Sequence, residues 1–415
     1  MTGAEKGAER VETVVIGAGQ AGLAASWCLA RRGLEHVVLE RGRVAETWRS
    51  ERWDGFYLNT PNWTLQLPGF QCDSPDPDAF ASLHETIAYL ERYARSFDAP
   101  VRERTPVTRV RRDASGFRVE TPAGVIAARS VVVAAGTYQR PTPNPLTKAL
   151  PPGIHSLHTS EYRRPAQLPD GAVAIIGSGQ SGCQIAEELL AAGRRVYLSV
   201  GRCPWLPRRY RGRELMHWMV DCGLAEQTVD QLPSPAARLA CNVPVSGNDG
   251  GHDCNPRWLA RRGATLMGRL EGIEGTRFRI GPGLLECLAA GDEFVAGFRR
   301  MADEMARAKG LELPGPEPEE EKAPVREISE LDLREAGVSS VIWANGFRPD
   351  HTWIEGVETD AQGWPVHERG VSPVPGLYFV GLHWLHKRKS GIFLGVGEDA
   401  AYITDHLAEN VIAAK

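Results

Sequence analysis

The sequence has no close cysteine pair, no long apolar run and no apolar stretch at its start. Its eight cysteines are scattered over 415 residues and none stands in a Cys-x-x-Cys arrangement, so we expect idle thiols in a reducing compartment and no metal site. The longest apolar runs, such as Ala172 to Ile176 and Val131 to Ala135, are too short to span a bilayer. The first 13 residues are polar and charged, unlike a signal peptide. A cytoplasmic protein is therefore predicted.

The sequence also lacks an excess of charge of either sign. The formal net charge is -4 and the pI is about 6.3, which argues against a general binder of nucleic acid or of anionic membranes. Hydrophobic residues make up 42% and charged residues 24%, the balance of a soluble globular protein. The length suffices for two domains, each with its own core.

What the sequence does contain is a duplicated unit of strand, glycine-rich turn, helix and strand. The first copy covers residues 14–40 and the second covers residues 173–199. Their turns are Gly17-Ala-Gly-Gln-Ala-Gly22 and Gly177-Ser-Gly-Gln-Ser-Gly182. Units of this kind build parallel α/β sheets that bind dinucleotides. We predict an α/β fold with two Rossmann-like dinucleotide-binding domains.

The remaining pattern predicts that the second domain is inserted into the first. Residues 101–126 alternate as in a β-meander, and a separate strand is expected at Ser130–Ala135. A late strand at Leu377–Val380 precedes a helix expected from Glu398 to Asn410. The predicted first domain is residues 1–150 and 341–415. The second is residues 151–340, with an additional helical and loop region at about 214–330.

The first glycine turn predicts an FAD site. Its first glycine makes the tight turn, its second lets a pyrophosphate approach the backbone, and its third lets helix and strand pack. The helix N-terminus faces the phosphates, and Glu40 stands where a carboxylate accepts hydrogen bonds from a ribose. At the other end of the chain, Asp399 at a helix start suits a flavin. The predicted FAD-binding residues are Gly17, Gly19, Gln20, Ala21, Gly22, Glu40, Arg41, Trp48, Thr60, Val107, Ala135, Gly136, Gly381, Gly397 and Asp399.

The second glycine turn predicts a nicotinamide cofactor, and NADPH rather than NADH. Val200 occupies the position equivalent to Glu40, so the carboxylate that favours a 2′-hydroxyl is missing, and Arg202 follows. A 2′-phosphate suits a bidentate guanidinium. For Arg211 and Arg213 a solvated surface role stays open beside a ligand role. The predicted NADPH-binding residues are Gly177, Gly179, Gln180, Ser181, Gly182, Arg202 and Arg208.

Taken together, these motifs make the chain resemble the class B flavoprotein monooxygenases, which include flavin-containing monooxygenases, YUCCA-type enzymes and bacterial flavoproteins often labelled as linked to potassium transport. The likeness covers nearly the whole chain and includes both glycine motifs and the loops at 46–54 and 60–68. The family's linker pattern, Phe-x-Gly-x-x-x-His-x-x-x-aromatic, is met in part: His158 and Tyr162 fit, the phenylalanine is absent, and Gly153 lies one residue too far away. Tyr162 in place of tryptophan favours heteroatom or YUCCA-like oxidation.

The resemblance implies an NADPH-dependent FAD monooxygenase that forms a C4a-(hydro)peroxyflavin and oxygenates a small organic molecule. Its partners would be that substrate and molecular oxygen, with no nucleic acid or membrane span, and a homodimer is allowed. By resemblance, Asn62, with Asn59 as second candidate, supplies the catalytic amide beside the flavin. A turn role for Asn62 stays open. Tryptophans near the flavin would keep water away.

Two other functions fit the same motifs. One is an NADPH oxidase or flavin reductase that inserts no oxygen, and the other is a non-catalytic, NADPH-sensing flavoprotein linked to transport. A disulfide reductase of the same architecture would need a redox cysteine pair, which the sequence lacks. The basic run Lys387–Lys389, with His383 and His386 beside it, could gate the pocket, bind an anionic substrate or form an ordinary surface loop. No motif in residues 216–298 identifies the substrate.

Overall fold

The computed structural model describes residues 9–239, 242–318 and 321–413. In chain order the strands are β1 (Glu9–Ile16), β2 (His36–Leu39), β3 (Gln66–Leu67), β4 (Phe70–Gln71), β5 (Val101–Arg102), β6 (Arg109–Asp113), β7 (Gly116–Thr121), β8 (Gly124–Val133), β9 (Arg140–Pro141), β10 (His155–His158), β11 (Ala172–Ile176), β12 (Val196–Ser199), β13 (Arg209–Tyr210), β14 (Arg213–Glu214), β15 (Val245–Ser246), β16 (His252–Asp253), β17 (Thr265–Met267), β18 (Leu270–Glu274), β19 (Arg277–Ile280), β20 (Glu330–Asp332), β21 (Val338–Trp343), β22 (Phe347–Arg348) and β23 (Leu377–Phe379). The α-helices are α1 (Gln20–Arg31), α2 (Glu46–Ser50), α3 (Leu83–Ser96), α4 (Gln180–Ala191), α5 (Leu215–Asp221), α6 (Pro256–Arg261), α7 (Leu284–Ala308) and α8 (Phe393–Ala413).

The first large sheet has the order β5-β2-β1-β8-β7-β6, and β23 also pairs with β8. Strands β2 and β8 run parallel to β1, and β23 runs parallel to β8. The central residues of this sheet are apolar and buried, since helices cover the parallel part. Because β23 comes from the last tenth of the chain, the two ends of the sequence build one sheet.

The strand expected at Ser130–Ala135 is present in the first sheet, but it is the end of a longer strand and stops at Val133. Strand β8 runs without a break from Gly124 to Val133. Residues 126–133 pair parallel with β1, and on the other side of the strand residues 124–128 pair antiparallel with β7 whereas Val131–Val133 pair parallel with β23. The change of neighbour explains the change of pattern, because the first half is partly exposed whereas Val131 to Val133 are buried.

The second large sheet has the order β10-β21-β11-β12-β17, and all of its pairs are parallel. All five residues of β11 are buried, as expected for a central strand of a parallel sheet covered on both faces. Helix α4 connects β11 to the parallel strand β12 and so repeats the arrangement of α1 between β1 and β2. The predicted α/β fold with two Rossmann-like units is confirmed.

The closing helix begins five residues earlier than predicted, at Phe393 instead of Glu398. Its two early glycines therefore lie inside the first turns and allow close packing. A Cβ on Gly395 would overlap the carbonyl oxygen of Lys389, and a Cβ on Gly397 would lie 3.0 Å from Cγ of Pro68. No helix in the part of the chain that the structure describes is both long and apolar enough to cross a membrane.

Helix α3 was not predicted, although its start carries a clear local signal. Ser82 caps the helix by accepting from the backbone N–H of Glu85, whose carboxylate in turn accepts from the backbone N–H of Ser82. Its buried face carries Tyr89 and Tyr93, whose hydroxyls donate to backbone carbonyls of residues 65–70. The helix thereby supports the loop that leads from α2 towards the site.

Candidate functional site

In the first glycine turn, the first and third glycines pack against backbone atoms and the second faces open space. Gly17 has φ +107°, and a Cβ there would lie 2.6 Å from the carbonyl oxygen of Ala134. A Cβ on Gly22 would overlap the carbonyl oxygen of Gly17, whereas a Cβ on Gly19 would meet nothing within 4 Å. No side chain caps α1, and its first turn, which includes Gln20 and Ala21, holds no acidic residue. The space beside Gly19 therefore suits a pyrophosphate facing free N–H groups.

Glu40 holds this turn from the end of β2. Its side chain is buried, Oε2 accepts from the N–H of Ala18 (2.7 Å), and Oε1 accepts from the N–H of Gly42 (2.9 Å). Each carboxylate oxygen keeps acceptor capacity for a further donor such as a ribose hydroxyl. The neighbouring Arg41 is exposed and pairs with Glu51.

The C-terminal segment lies directly against the first glycine turn. A Cβ on Gly381 would overlap the methyl group of Ala21, and Nε2 of Gln20 donates to the carbonyl of Gly391 (2.9 Å). Asp399 is 2% exposed, and its Oδ2 has no hydrogen-bond partner among the described residues. Burial raises the pKa of Asp399 to about 6. A buried, unpartnered carboxylate oxygen on the helix that follows Gly391 fits a donor group on a bound flavin cofactor.

The other residues predicted for the first site come from four separate segments of the chain. The ring of Trp48 packs against Phe56 and Phe393, with centroids 5.9 and 6.2 Å apart. Ala135 is exposed directly after β8, Gly136 has φ +78°, and Thr60 and Val107 are half-buried. Val107 packs on the core of the first sheet.

The second glycine turn repeats the first closely. Gly177 has φ +116°, and its Cβ would lie 2.5 Å from the carbonyl oxygen of Ala344. A Cβ on Gly182 would overlap the carbonyl oxygen of Gly177. Helix α4, whose N-cap is Gly179 and which begins with Gln180 and Ser181, has no side-chain cap and no acid in its first turn. This turn is therefore a second site that suits a pyrophosphate.

The predicted arginines divide into two groups. Arg202 is exposed and has no carboxylate partner among the described residues. Arg208 is 1% exposed: its Nη1 donates to the carbonyl of Asn59 (2.6 Å), its Nη2 lies 3.0 Å from Glu214, and Cζ stands 4.0 Å from the ring centre of Phe80. Burial lowers the pKa of Arg208 to about 10. Arg208 thus joins the loop before Asn62 to the second unit.

The arginines that follow Arg208 also have partners in the protein. Arg209 donates to the carbonyls of Gly250 and Gly251. Arg211 pairs with Asp303, and Arg213 pairs with Asp221. Of the arginines singled out in the sequence, Arg202 is the one left available at the end of β12.

The two candidate amides have different surroundings. Oδ1 of Asn59 accepts from Nε2 of Gln184 on α4 (2.9 Å), so Asn59 lies where the two units meet. Asn62 is 6% exposed, and its Nδ2 donates to Oγ of Ser74 (2.9 Å) and to the carbonyl of Asp76 (3.1 Å). Asn62 therefore organises its own loop. Gln184 was missed in the sequence, although its place one helical turn after Gln180 puts both side chains on one face of α4.

The basic run near the C-terminus is neutralised by carboxylates. Both Lys387 and Lys389 pair with Glu226 and Glu398, at 2.7 and 2.8 Å for Lys387. Arg388 donates to the carbonyl of Leu224 (3.1 Å) and to the side chain of Gln227 (2.7 Å). The run is therefore not a free basic loop. Its ion pairs and hydrogen bonds connect residues 224–227 to the start of α8. Burial lowers the pKa of His383 next to this run to about 4.

The linker between the two units is buried and hydrogen-bonded. Nε2 of His158 lies 3.1 Å from the carbonyl of Gly346. The hydroxyl of Tyr162 donates to Oε2 of Glu188 (2.7 Å), and the Tyr162 ring lies 6.5 Å from that of Trp53. These residues hold the entry to the second unit against the loop that follows α2.

Comparison with known proteins agrees with this geometry. The family model described as pyridine nucleotide-disulphide oxidoreductase matches residues 14–218. An uncharacterized CzcO-like oxidoreductase of Geobacillus kaustophilus is 31% identical over 96% of this chain and 98% of its own length. The indole-3-pyruvate monooxygenase YUCCA1 of Oryza sativa subsp. japonica is 29% identical over 82% of this chain and 86% of its own length.

Two solved structures share the fold. A flavin-containing monooxygenase from Stenotrophomonas maltophilia aligns with a TM-score of 0.66 at 21% identity and covers 97% of this chain and 99% of its own. OTEMO in complex with FAD and NADP aligns with a TM-score of 0.57 at 16% identity, covering 97% of this chain and 86% of its own. At these identities the structures establish the fold, which is the predicted architecture with two dinucleotide-binding units.

Proposed function

The chain belongs to the CzcO-like oxidoreductases of the class B flavoprotein monooxygenase family, and from this we propose that it uses NADPH, FAD and molecular oxygen to oxygenate a small organic substrate. The observation that carries the proposal is the presence of two uncapped glycine turns in one molecule, with the C-terminal segment packed on the first through Gly381 and Gly391. FAD, when bound, supplies the chemistry that accepts a hydride and reacts with oxygen.

Each cofactor would be held by groups already described. The first turn of α1 would bind the FAD pyrophosphate, Glu40 the ribose, and the unpartnered Oδ2 of Asp399 a donor group of the flavin half. The first turn of α4 would bind the NADPH pyrophosphate. Arg202 would bind the 2′-phosphate, because its guanidinium is exposed and has no carboxylate partner among the described residues.

Between the two cofactor sites, we assign the amide role to Asn59 rather than Asn62. Gln184 accounts for one hydrogen bond of the Asn59 side chain, and Arg208 fixes its backbone carbonyl. Among the described residues Nδ2 of Asn59 has no hydrogen-bond partner, so this N–H₂ group can donate to a reacting group in the cleft. The rings of Trp48, Phe56 and Phe393 would exclude water from the same region.

The test measures three quantities on one preparation. FAD is identified after denaturation, NADPH consumption is compared with hydrogen peroxide release, and ¹⁸O from ¹⁸O₂ is followed into products of a panel of amines, thioethers and oxo acids. We expect FAD, NADPH-dependent oxygen uptake and ¹⁸O in at least one product. Stoichiometric peroxide with every compound would instead identify an oxidase, and the absence of NADPH turnover would contradict an enzymatic role.

A further inference from the structure

The order of the strands fixes the direction in which FAD would lie across the first sheet. Strand β1, which leads into the glycine turn, lies between β2 and β8, and β23 lies beyond β8. Glu40, which suits the ribose, follows β2. Because the pyrophosphate joins the two halves of FAD, the flavin half would extend away from Glu40, towards the segments that follow β8 and β23.

His383 lies in the segment after β23, next to the first glycine turn. A Cβ on Gly381, two residues before it, would overlap the methyl group of Ala21, and two residues of chain span at most about 7 Å. A Cβ on Gly391 would lie 3.4 Å from Cα of His383 and 3.7 Å from its Nδ1, and the carbonyl of Gly391 accepts from Gln20. The imidazole is therefore close to the first turn of α1, on the β8 side of β1.

The backbone around His383 is held in one conformation. Its N–H donates to Oγ1 of Thr137 (2.9 Å), in the segment after β8. The next residue, Trp384, is buried and has φ +55°, which is unfavourable for a bulky side chain and persists only where other contacts enforce it. One such contact is Arg388, whose Cζ lies 4.6 Å from the ring centre of Trp384. Backbone strain of this kind is concentrated at binding and catalytic sites.

The imidazole of His383 is uncharged and has unused hydrogen-bonding capacity. The ring is half-buried, and neither of its nitrogens has a hydrogen-bond partner among the described residues. Burial lowers the pKa of His383 to about 4, and the charge of Arg388 acts in the same direction. At neutral pH the ring therefore offers one N–H donor and one acceptor nitrogen. Such a ring matches the hydroxyl and carbonyl groups of a flavin better than it matches a phosphate.

We propose that His383 is a cofactor-binding residue whose uncharged imidazole hydrogen-bonds a hydroxyl or carbonyl group of the flavin half of FAD. The inference rests on the FAD site of the proposed function, to which it adds a contact that neither glycine motif predicts. Thr137 and the strained backbone of Trp384 hold the ring for that contact.

The test uses the FAD-loaded protein and two measurements. These are the dissociation constant of FAD, from the flavin fluorescence released on serial dilution, and the midpoint potential of the bound flavin. His383→Leu should weaken FAD binding by about tenfold or more, because one hydrogen bond in a partly buried site is lost. His383→Asn and His383→Gln place an amide near the position of Nδ1 and of Nε2, and one of them should recover most of the affinity. The matched control is His386→Gln, in the same segment, which should behave as the wild type.

The pH dependence and the midpoint potential identify the kind of contact. A group with a pKa of about 4 does not titrate between about pH 6 and pH 8, so the ratio of the FAD affinities of the wild type and His383→Leu should be constant over that range. A ratio that rises as the pH falls would indicate a charged histidine on a phosphate, and the inference would be wrong. With weaker FAD binding, a changed midpoint potential assigns the bond to the isoalloxazine ring and an unchanged one assigns it to the ribityl chain.

The inference is also wrong if His383→Leu binds FAD as tightly as the wild type, or if neither amide variant binds FAD more tightly than His383→Leu. If circular dichroism shows that His383→Leu does not fold, the two amide variants decide, and wild-type affinity in both overturns the inference. Neither measurement involves NADPH or oxygen. If the wild type does not consume NADPH while FAD binding still depends on His383, the proposed function falls and the flavin contact stands.

Discussion

Replacing Arg208 by methionine tests whether the junction between the units depends on one buried ion pair. Arg208 and Glu214 are 1% and 5% exposed, and their charged groups lie 3.0 Å apart. Burial is the largest influence on both groups, since it lowers the pKa of Arg208 and raises that of Glu214. Desolvation therefore opposes the pair, and its net contribution to stability is small as long as both partners are present.

Removing one partner should nevertheless be strongly destabilising. Arg208→Met leaves the Glu214 carboxylate buried and unpaired, and a buried charge stranded in this way costs about 3–5 kcal/mol. The carbonyl of Asn59 also loses its donor at 2.6 Å. The double variant with Glu214→Gln removes both charges and should recover most of the loss. Arg209→Met is the matched control, because Arg209 is exposed and makes two hydrogen bonds to carbonyls.

Urea unfolding followed by tryptophan fluorescence measures the free energy of unfolding of all four proteins. The pH dependence supplies a second reading. The folded-state pKa of Glu214 is already raised, and losing Arg208 raises it further, so the folded single variant binds a proton more readily than the unfolded chain does. Its deficit should therefore shrink as the pH falls through the folded-state pKa. A loss below about 1 kcal/mol at pH 7, or a double variant as unstable as the single one, would refute the reasoning.

Three further predictions concern the cofactor sites. Arg202→Ala should raise KM for NADPH by roughly 10- to 100-fold and leave KM for NADH nearly unchanged, since it removes a charge-assisted contact to the 2′-phosphate; equal effects in steady-state kinetics would exclude that role. Gly22→Ala should not give folded protein, because its Cβ would overlap a backbone oxygen, whereas Gly19→Ala has room for the methyl group and should fold but retain little FAD; circular dichroism and flavin absorbance distinguish the two outcomes. Asn59→Ala should raise the peroxide released per NADPH about fivefold or more while FAD stays bound, and Asn62→Ala should change thermal stability more than coupling; the reverse result would return the amide role to Asn62.

Much of the architecture is encoded locally and could be predicted. A glycine turn between a strand and a helix needs positive φ at its first glycine and close packing at its third glycine. Both requirements are local, so the same glycine spacing appears in the turns that begin at Gly17 and at Gly177. The fold class follows from that repeat, whereas the family resemblance also needs the loops at 46–54 and 60–68. The joining of the two chain ends was predicted from Gly381 and Asp399, and in the structure β23 pairs with β8.

The structure alone shows which of several similar residues are buried and paired with other parts of the chain. From the sequence, Arg202 is the first candidate for a phosphate and Arg208 a further one, and only the fold shows that Arg208 is buried against Phe80 and Glu214. From the sequence, an ordinary surface loop is one interpretation of the basic run Lys387–Lys389. In the structure, Glu226, about 160 positions earlier, pairs with Lys387 and Lys389. A motif with its geometry contained in six residues can be recognised from the sequence, because its constraints are local. Whether a charge is paired, buried or free depends on partners distant along the chain, and the tertiary fold alone brings these together.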